Sequence, residues 1–149
     1  MSKAAKTVST KEDAASLLSL VLDVAHELET RLEHALAEEG LSGAKASTLN
    51  FLAEAKDPLS LSELAHENSC VRSNITQLVD RLETDGLVRR VNDPDDRRIR
   101  RAALTTDGRK ACKDACRVIT AQEHAVQSAL SREETATLVR LLRRLISER

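Results

Sequence analysis

Aromatic residues are nearly missing from this chain: one phenylalanine, no tryptophan and no tyrosine in 149 residues. A core must therefore come from Leu, Val, Ile and Ala, the composition of helices packed on helices. Cysteine is scarce too. Cys70, Cys112 and Cys116 are too few and too unevenly placed for a disulfide framework, which agrees with a reducing compartment. No apolar run approaches the ~18 residues of a membrane span. The opening MSKAAKTVSTKEDAA has no apolar stretch that could act as a secretory signal. A cytoplasmic protein with no membrane partner is expected. A Gly-rich phosphate loop, a nucleophile–base pair and a paired acid site are all missing. His26, His34, His66 and His124 are scattered, without carboxylates at a metal-binding spacing. Neither an enzyme nor a metal or cofactor site is expected.

What is present is a folded composition, 41% hydrophobic and 32% charged, of a length that fits a single domain over residues 1–149. The net charge of −1 conceals an asymmetry. Residues 1–67 carry 6 basic and 12 acidic side chains, and residues 68–149 carry 17 basic and 12 acidic. A basic half on a near-neutral chain suits a protein that meets a polyanion with one face.

Along the chain, residues 1–9 lack periodicity and read as a flexible arm. A capping box, Thr10 with Asp13 or Ser9 with Glu12, opens a helical pattern from Ala14 to Ala37. Apolar residues recur there at steps of three and four from Leu17 to Leu36, and Gly40 ends the run. Ser42 caps a second helix that KDP at 56–58 stops. Ser60 and Glu63 form a capping box before the short helix LSELAHE, and after NSCV an amphipathic helix runs from Arg72 to Thr84. Gly86 closes it as the left-handed terminal residue, with Leu87 as the hydrophobic contact. LVRRV and IRRAAL flank NDPDDRR and read as a hairpin. Thr105 or Thr106 then caps a helix to about Leu130. A third capping box, Ser131 with Glu134, opens a last helix carrying Leu138, Val139, Leu141, Leu142, Leu145 and Ile146.

A short helix, a connection of about four residues and a second amphipathic helix make a helix-turn-helix. In that motif the first helix braces on the DNA backbone while the second enters the major groove. The exposed face of the second helix is expected to be Arg72, Ser73, Asn74, Thr76, Gln77, Asp80 and Arg81, a set able to bond base edges or phosphates. Any surface helix carries polar residues, so the hairpin that follows decides the reading. VNDPDDRRIRR packs four arginines and three aspartates into residues 91–101. Helix-turn-helix plus charged hairpin is a winged helix, whose arginines have a target in phosphates or a minor groove. The fold expected is mainly α with a small β-hairpin, a winged helix-turn-helix lobe over 42–105.

From Leu61 to Gly108 the sequence resembles the MarR family of bacterial transcription regulators. LVDRLETDGLVRR followed by DPDDRR and LTTDG carries the likeness, and the flanking helix order extends it over nearly the whole chain. The resemblance implies a homodimeric DNA-binding regulator, expected to act as a repressor, with residues 10–40 and 106–149 as intertwined dimerisation helices. It also implies two recognition helices about one DNA turn, ~34–36 Å, apart on double-stranded DNA with inverted-repeat symmetry. Carried over by position, Arg72, Ser73, Asn74, Thr76 and Gln77 face bases and nearby phosphates, and Arg81 grips a phosphate. Asp96 and Arg98 match an Asp-x-Arg wing motif in which the aspartate orients the wing and the arginine reaches the minor groove. Arg97 is the second choice for that insertion. Arg100 and Arg101 alternate sides of a strand, and one of them is expected to be only a solvated flank. The NSCV connection departs from the family pattern: Asn68 is expected to expose the turn, and Val71 cannot cap the helix, leaving Ser69 or Ser73 to do so.

Many relatives release DNA on binding a small aromatic or anionic ligand, and the same is expected here; His26 with Glu27 or Glu29 could line such a pocket, though a solvated histidine is the plainer reading. Others sense oxidants through a cysteine. No cysteine precedes residue 70, against the subgroup whose reactive thiol lies early in the first helix. Cys70, just before the recognition helix, is the one redox candidate, weighed against a plain core role. Cys112 and Cys116 read as packing. The competing reading is a helical interaction module that keeps this fold but works through protein partners.

Overall fold

The computed structural model describes residues 16–68, 72–96 and 98–147, with the side chains of Arg72 and Ser73 left out. The arm, the first capping box, Ser69, Cys70, Val71 and Arg97 therefore lie outside the described residues. The elements are α1 (Leu17–Glu38), α2 (Gly43–Glu54), β1 (Leu59–Ser60), α3 (Leu61–Glu67), α4 (Arg72–Thr84), β2 (Val88–Asn92), β3 (Arg100–Leu104), α5 (Thr106–Ser128) and α6 (Arg132–Ser147). The helix order matches the sequence reading. The sheet is one strand larger than expected: β1 pairs antiparallel with β3, placing β3 in the middle of the order β1-β3-β2.

Local signals set the boundaries. The Ser42 hydroxyl accepts from the Lys45 amide at 3.3 Å and starts α2. Ser60 and Glu63 close their box in both directions, as do Ser131 and Glu134. At the start of α5 the choice between two threonines resolves to Thr105, whose Oγ1 accepts from the Gly108 amide at 2.9 Å. Gly86 sits at φ +73°; its amide donates to Glu83 and that of Leu87 to Leu82, the double closure of a left-handed cap.

The core lies where α2 to α5 and the sheet converge. Leu36, Leu49, Leu64, Ile75, Val79, Leu82 and Ala102 are each fully buried in it. Two polar residues are also buried, Thr48 in α2 and Asp93 just after β2. The Thr48 hydroxyl donates to Oδ1 of Asn68 at 3.3 Å, while Asn68 Nδ2 donates to the Leu64 carbonyl at 2.9 Å. Asn68 therefore seals the end of α3 against α2 instead of exposing the turn. Arg90 on β2 does the equivalent for α4, with its guanidinium on Glu83 and Asp80.

The two ends of the chain behave differently. Only the C-terminal part of α1 packs on the core, through Leu32 and Leu36. Leu17, Leu18, Leu20, Leu22 and Val24 stay exposed, and α6 buries no residue at all. Among the described residues, no helix is long and apolar enough to cross a membrane.

Two glycines separate two kinds of cost. A Cβ at Gly86 would meet nothing within 4 Å, whereas one at Gly108 would lie 1.9 Å from the Leu87 carbonyl oxygen. Gly86→Ala should cost about 1–2 kcal/mol through its left-handed backbone alone. Gly108→Ala must push α5 off the β2 junction and should cost more, at or above the upper end of the about 1–3 kcal/mol of overpacking. Urea denaturation of the two variants orders them; a neutral Gly108→Ala would contradict the close approach.

Candidate nucleic-acid interface

The wing is built around one carboxylate. Asp93 opens the seven-residue turn between β2 and β3 and is 6% exposed. Its Oδ1 accepts from the amides of Asp95 at 2.8 Å and Asp96 at 3.0 Å. Its Oδ2 takes Nε of Arg101 in a short charge-assisted contact. Arg101 carries the link onward: one guanidinium nitrogen donates to the Pro58 carbonyl at 3.0 Å and to Glu63 Oε2 at 3.1 Å. That same Glu63 oxygen accepts from the Ser60 amide at 2.7 Å. The wing turn, β1 and the start of α3 are thus joined through two side chains. Arg101 is an internal brace and not a solvated flank, and Asp93 is the anchor of the turn.

Asp96 has the narrower task of presenting Arg98. Its Oδ1 accepts from the Arg98 amide and from Nε, both at 3.0 Å, and its Oδ2 from a terminal guanidinium nitrogen at 2.9 Å. This is a two-pronged clamp. The Arg98 side chain is still 90% exposed, so the clamp aims the guanidinium without covering it. The Asp96 carboxyl is held below its usual range, first by the Arg98 side chain and then by its amide. Arg100 is exposed at the start of β3, and Ile99 beside it is 43% exposed. Ser60, Leu61 and Ser62 at the head of α3 share a shallow hollow with Arg98 through Arg101.

Helix α4 buries Ile75, Val79 and Leu82 and turns Asn74, Gln77 and Arg81 outward. Asn74, Gln77, Leu78 and Arg81 line a second hollow with Asn68 and the first turns of α2. Two expected members of the exposed face differ from the rest, although Asp80 stays exposed. Thr76 is half-buried with an interaction of its own, and Asp80 is committed to Arg90. Arg72 and Ser73 stand on the first turn of α4. Among the described residues, Arg81, Arg89 and Arg100 have no ion-pair partner. Arg89 was not singled out from sequence, though its alternation with the paired Arg90 on β2 would have marked it. The histidine candidates do not assemble a site: His26 is exposed, Glu27 pairs with Arg31, and no metal-binding group occurs among the described residues.

The fold and this arrangement of α3, α4 and wing define a winged helix-turn-helix DNA-binding protein. A model of the MarR family matches residues 39–99. The HTH-type transcriptional repressor YetL of Bacillus subtilis is 35% identical over 134 residues, spanning 87% of this chain and 80% of that protein. The chain belongs to the MarR family of transcription regulators, which are non-enzymatic DNA-binding proteins. Among solved structures, the S. aureus MepR–DNA complex superposes with a TM-score of 0.78 at 24% identity, covering 90% of this chain and 98% of that one. CouR from Rhodococcus jostii RHA1 bound to p-coumaroyl-CoA gives 0.71 at 25%, covering 91% and 94%.

The anchoring carboxylate sets a pH limit on the wing. Asp93 is held below the ordinary carboxylate range, first by the Arg101 side chain and then by the Asp95 and Asp96 amides. With the folded value lowered, its contribution is complete above the unfolded value of about 3.9. It is lost as pH falls through the folded value. Asp93→Asn and Arg101→Ala should each weaken hydrogen-exchange protection of the Asp96 amide at pH 6. The gap between wild type and Asp93→Asn should close as pH drops below about 4. A gap unchanged down to pH 2 would exclude Asp93 as the titrating anchor.

Proposed function

We propose that the chain is a homodimeric repressor that reads a pseudo-palindromic operator in double-stranded DNA. The observation that carries the reading is the sorting of arginines at the wing: Arg101 is spent on architecture, while Asp96 aims an open Arg98 outward. Asn74 and Gln77, with Arg72 and Ser73 on the preceding turn, read base edges and adjacent phosphates in the major groove. Arg81 grips a phosphate, Arg98 enters the neighbouring minor groove, and Arg100 supports it along the backbone. Arg97 is the alternate for the insertion. Thr76, half-buried, contributes to positioning more than to contact.

Homodimerisation is supported by the uncovered apolar stripes. Leu138, Leu141, Leu142, Leu145 and Ile146 line α6, with Ile146 76% exposed, and a second copy supplies the missing cover. The repressing sense is supported by the name of the YetL relative. Release by a small aromatic or anionic ligand is supported by the p-coumaroyl-CoA held by CouR. A protein with this target works where bacterial DNA is, in the cytoplasm.

Binding should fall steeply with salt, with log K falling by about 0.9 per phosphate contacted for each tenfold rise in salt. In mobility-shift titrations Arg98→Ala should weaken operator binding by about 1–3 kcal/mol per wing. Arg81→Ala should weaken all sequences alike and flatten the salt slope by about 1 per contact. Asn74→Ala and Gln77→Ala should change the motif recovered by binding-site selection. Unchanged affinity for Arg98→Ala, or the parental motif from both helix variants, would refute the assignments. Leu142→Glu should yield monomers in sedimentation; a persistent dimer would refute α6 as the seam.

A further inference from the structure

The thiols of α5 are not used by any of this. Cys112 is 7% exposed on the face of α5 that packs against the core, and Cys116, one turn on, is exposed. Four residues apart on α5, they share a face of the helix. Cβ atoms at this spacing stand roughly 5–6 Å apart on a helix, while a disulfide needs about 3.5–4.5 Å. Direct oxidation to a disulfide would therefore distort the helix. A single atom accepting a bond from each sulfur spans the difference with the helix intact.

We propose that Cys112 and Cys116 form a dithiol site for a trivalent arsenical. An aryl arsine oxide, ArAs=O, reacts with the two thiols to give ArAs(S-Cys112)(S-Cys116) and one water. Two As–S bonds replace the As=O bond, both thiol protons leave in the water, and no oxidant or reductant takes part. Cys116 is the entry point because it is open to solvent, and Cys112 closes the ring from the protected side. Joining at one sulfur turns the second bond into an intramolecular step, the origin of chelate affinity.

The surroundings argue against peroxide sensing. Burial raises the Cys112 thiol above its ordinary range, and the neighbouring Cys116 sulfur and the Glu54 carboxylate of α2 push the same way. Cysteines of depressed pKa are the ones whose thiolates attack peroxide, and Cys112 is shifted the other way. The site lies where α5 leaves the core: Ala115 is the last residue of the helix that is fully packed.

The test uses full-length protein carrying Cys70→Ser, so that only the α5 thiols remain, titrated with phenylarsine oxide. One equivalent per chain should bind, remove both thiols from reaction with Ellman's reagent, resist excess glutathione and reverse with a dithiol. Helical circular dichroism should be unchanged. Cys116→Ser, at an exposed position that does not disturb packing, should bind at least about 100-fold more weakly and become glutathione-reversible. Cys112→Ala should do the same. Two independent equivalents per chain, glutathione-sensitive binding in the parent, or full affinity in Cys116→Ser would each overturn the site.

Discussion

A single buried carboxylate holds the DNA-reading lobe in its working shape. Asp93 cannot stay charged at 6% exposure without partners, and its partners lie in three places. Two are amides of its own turn, which fixes the wing tip. The third is Arg101, which passes the constraint to Pro58 and to Glu63 at the head of α3. Glu63 is also half of the capping box that starts α3. The helix that precedes the recognition helix and the wing that follows it are therefore not independent attachments. Displacing either costs hydrogen bonds in the other.

That coupling explains the mixed charge of the wing. Were all its arginines free, the turn would be a loose cationic loop with affinity for any polyanion. Here the aspartates divide them. Asp93 takes Arg101 out of circulation, and Asp96 holds Arg98 in one orientation without hiding it. Arg90 on β2 is likewise absorbed by Asp80 and Glu83, bracing α4 against the sheet. Preorganising a few cations lowers the ordering cost of binding, and withholding others limits attraction to the wrong sequence. The protein achieves a directed face on a chain of net charge −1.

Most of the scaffold was legible in the sequence because its signals are local. Ser42, Ser60, Ser131 and Gly86 act through residues within a few positions, and the apolar spacing of α4 names Ile75, Leu78, Val79 and Leu82, of which Leu78 alone is only partly buried. The family likeness of LVDRLETDGLVRR and DPDDRR carried the rest of the way to the fold. What sequence left open depends on distance. Asp93, Asp95 and Asp96 are chemically alike in a string; only Arg101, fixed by Glu63 and by Pro58 some forty residues earlier, selects Asp93 as the buried one. The two-residue strand β1 has no periodicity to detect and exists because β3 offers an edge. Asn68 looked disruptive until Thr48 came within reach from α2. Thr76 is half-buried and Asp80, though exposed, is taken up by Arg90 of β2, while Cys116 stayed exposed beside its buried neighbour.

The apolar faces of α1 and α6 are the complement of this lobe. In the proposed dimer they would set how far apart two reading lobes stand. In the proposed dimer two braced wings and two α4 helices engage one duplex symmetrically. Hydroxyl-radical and dimethyl-sulfate footprinting of the bound duplex tests it most directly. The account predicts two major-groove protections about one helical turn apart, each flanked outward by minor-groove protection that disappears in Arg98→Ala. A single unsymmetrical protection, or flanking protection that survives that substitution, would contradict it.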